Sequence, residues 1–147
     1  MTTSRSRHAT EHAVDAVRLG DAVARLTRAA RRELALPIGA SSIAALATVE
    51  RTGPIRLGDL ARHEGVTAAT LSRIVSVLEE EGYAVRTTDA DDRRSSWLDV
   101  TSAGRRLLDG VRRDRAAIIG RRLERLSPEQ RVALGSALDA IEVLAED

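Results

Sequence analysis

The chain has 147 residues, with 23 basic and 22 acidic side chains, a net charge of +1, no Cys, no Phe, one Trp and one Tyr. The length allows one domain with a real core. The lack of Cys excludes disulfides, thiolate metal sites and cysteine redox switches.

A core without Phe must be built from Leu, Val, Ile and Ala, so a small-molecule pocket here is aliphatic rather than aromatic-lined. No apolar run is long enough for a membrane span, and the opening MTTSRSRHATEHA lacks the apolar segment of a secretory signal. These features predict a soluble cytoplasmic protein with no membrane partner. Charge near balance means that any nucleic-acid binding must come from local patches. Every basic residue is Arg, which a GC-rich coding bias explains, as it does the abundant Ala. Arg also makes bidentate contacts to phosphate and guanine that Lys does not.

Residues 1–9 are polar and read as a disordered tail. A long helical pattern runs from about Thr10 to Leu36, with Leu19, Ala22, Val23, Leu26, Ala30 and Leu34 at helical spacing, and Pro37 and Gly39 end it. Ser41 or Ser42 is positioned to cap the next helix, which carries Ile43, Leu46, Ala47 and Glu50 and stops at Thr52-Gly53-Pro54. Ile55-Arg56 reads as a brief extended piece.

The segment LGDLARHEGVTAATLSRIVSVLEEE, residues 57–81, predicts a short helix, a turn at Gly65 and a longer helix. In the second helix Leu71, Ile74, Val75 and Leu78 form one buried stripe at i, i+3, i+4 and i+7. Thr67 is its N-cap and Gly82 its left-handed stop. Two helices joined by a short turn containing Gly form a helix-turn-helix. With Leu71 inward and about 100° per residue, Ala69, Thr70, Ser72, Arg73 and Ser76 point outward. Such a slim polar face fits a DNA major groove, where Arg reads guanine and Ser or Thr reads several base edges. The alternative is a helical hairpin with a solvated face. Glu79, Glu80 and Glu81 lie at the far end, away from the bases.

After Gly82 the period changes to that of strands, Tyr83–Thr88 and Ser95–Val100, joined by the charged turn DADDRR. A hairpin directly behind a helix-turn-helix is a wing. Arg93 and Arg94 at its tip suit a minor groove, where negative potential concentrates. Asp91 or Asp92 can fix the loop by bonding Arg or loop N–H groups. Thr101 caps another long helix, with a stripe of Leu107, Leu108, Val111, Ile118, Ile119, Leu123 and Leu126. Ser127-Pro128-Glu129-Gln130 then supplies a cap, a first-position Pro and a capping box. Val132, Leu134, Leu138, Ile141 and Leu144 stripe one last helix.

Three amphipathic helices outside the winged core carry more apolar surface than that core needs. A second copy of the chain would cover it, which makes Leu19, Val23, Leu26, Ile118, Leu134, Leu138 and Ile141 the expected homodimer interface. A twofold pair would set two recognition helices about 34 Å apart on a palindromic site.

The chain resembles the MarR family of bacterial transcriptional regulators along nearly its whole length. The resemblance is carried by LGDLARHEGVTAATLSRIVSVLEEEGYAVR, by DADDRRSSWLDVTSAGRRLL and by LSPEQRVAL. It implies a homodimer built from the first and last two helices, and repression, less often activation, of nearby genes. It also implies relief by a small-molecule effector bound between the dimer helices and the DNA-binding lobe. Asp92, Arg93 and Arg94 fall on the family's Asp-Arg-Arg positions. The resemblance makes Asp92 the residue that stabilises the wing, and the Arg residues its minor-groove or backbone contacts. Ala90 in place of a common Pro and Val100 in place of the usual Leu are departures that touch the wing's geometry.

The sequence therefore predicts a mainly α fold with a small β-wing. Residues 1–9 form a tail, 10–38 and 101–147 a helical dimerisation region, and 39–100 the winged helix-turn-helix. Thr67, Ala69, Thr70, Ser72, Arg73, Ser76, Arg93 and Arg94 are the expected contacts to double-stranded DNA. No cofactor or metal is expected, since His8, His12 and His63 do not make a ligand cluster. No phosphate loop, nucleophile elbow or HExxH motif points to an enzyme. The competing reading is a winged-helix protein-interaction module. It is weakened by the lack of large apolar anchors on the recognition face.

Overall fold

The computed structural model describes residues 15–88 and 96–145. The chain divides into two compact units, residues 1–35 and 36–147. The first contains α1, Ala16–Glu33, started by Asp15, whose side chain accepts from Arg18 N at 3.0 Å. The helix ends before the expected Leu36, with Leu34 already extended. Pro37 disfavours helical backbone at the residue before it.

The second unit begins with α2, Ala40–Thr52. Its N-cap is Gly39, not Ser41 or Ser42, and Ser42 is buried inside the first turn. Gly tolerates the cap position at little cost. The earlier start leaves Ile43, Ala45, Leu46 and Val49 as one buried set. Gly53, at φ 77°, ends the helix in a conformation that L side chains avoid.

The helix-turn-helix follows as α3, Leu57–His63, and α4, Ala68–Glu80. The wing is β2, Ala84–Thr88, paired antiparallel with β3, Ser96–Val100, in the register Ala84↔Val100 to Thr88↔Ser96. The extended piece Ile55–Arg56 is a third strand, β1, pairing Ile55↔Leu98 and Arg56↔Trp97, so the sheet order is β1-β3-β2. Alternation along β3 turns Leu98 and Val100 inward and leaves Trp97 on the outer face. Leu46, Leu60, Leu78, Leu98, Val49 and Val75 are the largest fully buried side chains. The core thus sits where α2, α3, α4 and the sheet meet.

Helix α5, Ser102–Leu123, is capped by Thr101, whose hydroxyl accepts from Gly104 N at 3.1 Å. That hydroxyl also donates to the Gly82 carbonyl at 2.7 Å, and Thr101 N donates to the Tyr83 carbonyl at 3.0 Å. Gly104 is packed so tightly that a Cβ there would collide with the Tyr83 carbonyl oxygen and lie 2.9 Å from Val100 Cγ2. The start of α5 is thereby stapled to the exit of the recognition helix.

The capping box at Ser127 is present in full, with Ser127 N donating to Gln130 Oε1 at 2.9 Å. Ser127 Oγ also donates to Glu129 at 2.6 Å, which holds that carboxyl below its ordinary range. The expected single last helix is instead two, α6, Pro128–Ser136, and α7, Leu138–Leu144. At the break Ser136 Oγ bonds the Val132 carbonyl at 3.0 Å, and Ala137 N reaches back only to Leu134 O. A hydroxyl drawing on the helical carbonyls beside a weak helix former, Gly135, accounts for the break.

Candidate nucleic-acid interface

The recognition helix is built from the inside out. Leu71, Ile74, Val75 and Leu78 are buried on one side, which forces Ala69, Thr70, Ser72, Arg73 and Ser76 to the exposed side. Thr67 starts the helix, accepting from Thr70 N at 3.2 Å, and the two hydroxyls lie 3.0 Å apart. No acidic residue occupies the first turn of α4, so its positive dipole end is not offset from within that turn. Arg73 has no ion-pair partner among the described residues. The structure thus brings Thr67, Ala69, Thr70, Ser72, Arg73 and Ser76 onto one open, polar, slightly cationic surface.

Both ends of α4 are held by side-chain links that sequence periodicity does not reveal. Ahead of it, Thr48 of α2 donates to Glu64 Oε1 at 2.6 Å, fixing the turn in which Gly65 takes φ 64°. Behind it, Arg86 of β2 donates to Glu79 Oε2 at 2.9 Å, with both side chains about one-third exposed. That pair ties the wing strand to the recognition helix and neutralises one member of the acidic run. The partners Thr48 and Glu64 are 16 residues apart, beyond any helical repeat. Glu79 and Arg86 lie on either side of the Gly82 turn.

On the outer face of the sheet Arg56, Trp97 and Thr87 form one cross-strand row. The Arg56 guanidinium sits 5.1 Å from the Trp97 ring centroid, a cation–π distance. Asp92, Arg93 and Arg94 lie outside the described residues.

The expected interface residues divide. Val23, Leu26, Leu134, Leu138 and Ile141 are exposed large hydrophobics, and Leu19 is half-buried. Ile118 is only 4% exposed in the single chain, so it already belongs to this chain's own packing. Among the described residues no group of three or more His, Asp or Glu side chains could hold a metal ion. Among them no helix is long and apolar enough to cross a membrane.

A helix-turn-helix backed by a two-stranded wing, with a polar exposed second helix, defines a winged-helix DNA-binding regulator. The signature of the MarR family matches residues 38–96. An HTH-type transcriptional regulator of Mycobacterium bovis, Mb0904, is 31% identical over 127 residues, covering 86% of this chain and 89% of that protein. The crystal structure of a transcriptional regulator from Pseudomonas aeruginosa aligns with a TM-score of 0.78 at 30% identity, over 90% of this chain and 94% of that one. BpsR of Bordetella bronchiseptica, whose DNA binding is regulated by 6-hydroxynicotinic acid, shares the fold at a TM-score of 0.60 and 20% identity, over 85% of this chain and 98% of its own. The chain belongs to the MarR family of transcriptional regulators. Members of that family are regulators that bind DNA.

Proposed function

We propose that this protein is a repressor that binds a palindromic operator as a homodimer, and that a small molecule relieves the binding. The observation that carries the reading is the exposed face of α4, where hydroxyls and Arg73 stand free of large apolar groups up to Val77. In this reading Ala69, Thr70, Ser72, Arg73 and Ser76 meet base edges, Thr67 meets the backbone, and Arg93 and Arg94 reach the adjoining minor groove. Asp92 shapes the wing. Residues 39–100 do the binding, while 10–38 and 101–147 pair the copies.

Support for pairing comes from Val132, Leu138, Val143 and Leu144, each more than half exposed on α6 and α7. Apolar surface left open in one chain is what a second copy covers. The fold shared with BpsR supports a ligand-responsive regulator. Selection from random duplexes, with sedimentation of the free protein, tests the reading. The expected result is a dimer that enriches inverted half-sites whose centres lie about one helical turn apart. A monomer, or no enriched sequence, overturns it.

A further inference from the structure

Helix α2 carries two side-chain links that leave it in different directions. Arg112 of α5 pairs through Nη2 with Glu50 Oε2 and through Nη1 with Asp109 Oδ1 at 3.1 Å. Two residues earlier, Thr48 holds Glu64 at 2.6 Å. Residues two apart on a helix point about 200° from one another. One link therefore faces α5, and the other faces the turn of the helix-turn-helix.

We propose that α2 is a lever coupling α5 to the recognition helix, with Arg112–Glu50 as the input link and Thr48–Glu64 as the output link. The inference rests on the DNA-binding reading above. Around the links the bar is held in the core, since Leu46 and Val49 are fully buried. Glu64 is the C-cap of α3 and stands three residues before Thr67, the cap of α4. A shift of Glu64 therefore moves the start of the recognition helix. Beside the links lies an open concavity of about 570 Å3 lined by Ala47, Thr48, Glu50, Arg51 and Arg112. The concavity leaves Arg112 reaching across open space to Glu50, so at this edge of α2 the polar link is the contact to α5.

The input link adds little to stability as such. The Arg112 side chain is 53% exposed against 17% for Glu50, and an ion pair with one partner so open to solvent contributes little to folding. Its effect is on geometry, and operator affinity is what reads it.

The test uses full-length protein and a duplex recovered by selection with the wild type. Arg112→Gln is the fold-safe variant, because that side chain is the solvent-facing partner. Arg112→Gln, Glu50→Gln and Thr48→Val are each expected to weaken binding about threefold to tenfold, within the range seen for coupling residues remote from a ligand. The slope of affinity against salt stays unchanged, because no phosphate contact is lost. The double variant Arg112→Gln/Thr48→Val loses less than the product of the two single losses, since both cut one chain of links. The swapped pair Glu50→Arg/Arg112→Glu recovers affinity relative to either single change. Unchanged affinity in Arg112→Gln overturns the lever, as do multiplicative losses in the double variant. A reduced salt slope makes Arg112 a direct DNA contact and also overturns it. If the wild type enriches no duplex at all, it is the DNA-binding reading that fails, and the lever falls with it.

Discussion

Arg73 stands on the open side of α4 six residues beyond the cap Thr67, with Ser72 and Ser76 beside it. A guanidinium there can bond the O6 and N7 atoms of guanine together. Arg73→Ala is expected to cost about 1–3 kcal/mol at one base position and to relax preference there, read by repeating the duplex selection. Unchanged specificity sinks the contact. Arg94→Ala is a different kind of test. It should weaken binding to all duplexes alike and reduce the salt slope by about one, as expected when a phosphate contact is removed. An identical slope removes the wing tip from the interface. At this scale the sequence was readable wherever a residue's role is set by near neighbours. Thr67, Thr101 and Ser127 were legible as caps because a cap and the N–H it accepts from lie within one turn. Glu64 and Arg86 were not, because their partners arrive from another element.

Among the elements, the start of α5 shows most clearly how local propensity yields to packing. Gly costs a helix about 1 kcal/mol relative to Ala, so propensity alone favours replacing Gly104. The backbone of Tyr83 occupies the space that a Cβ would need, and a carbonyl cannot rotate away as a side chain can. Gly104→Ala should therefore lower stability by about 1–3 kcal/mol in urea denaturation. Gly120→Ala, in the same helix with nothing within 4 Å of its Cβ position, should be neutral or slightly stabilising. Equal effects of the two changes would show that the collision is relieved at no cost. Helices α3 and α4 were legible because their apolar periods are regular, and the hairpin because that period stops at Gly82 and a charged, Asp-rich turn follows. Ile55-Arg56 was legible as an extended piece but not as a third strand, since two residues carry no period and β1 exists only through its pairing with β3. The break between α6 and α7 was missed because the apolar stripe continues unbroken across Ser136 and Ala137, while the backbone does not.

For the whole molecule, the deciding quantity is apolar surface left without cover. Leu134, Leu138 and Ile141 are each more than one-third exposed, yet they keep the spacing of a buried helical stripe. Ile141→Glu places a charge where the proposed partner copy would exclude water. The expected outcome is a shift from dimer to monomer in sedimentation. Operator affinity falls with it, since two linked half-sites bind far better than one. A variant that stays dimeric places the contact elsewhere. Ile118 marks the limit of stripe reasoning, because a periodic pattern shows that a face is covered without showing whether the cover is the same chain or another.

Trp97 is the only indole in the chain, and it lies on the outer side of the wing beneath Arg56. Tryptophan emission is therefore a built-in optical report on the wing alone, needing no dye and no added reporter residue. Mixing the protein with its duplex should change that emission as the finger docks, while Arg56→Ala should alter the starting signal before any nucleic acid is added. Stopped-flow recording of the two would time the arrival of the wing separately from overall association.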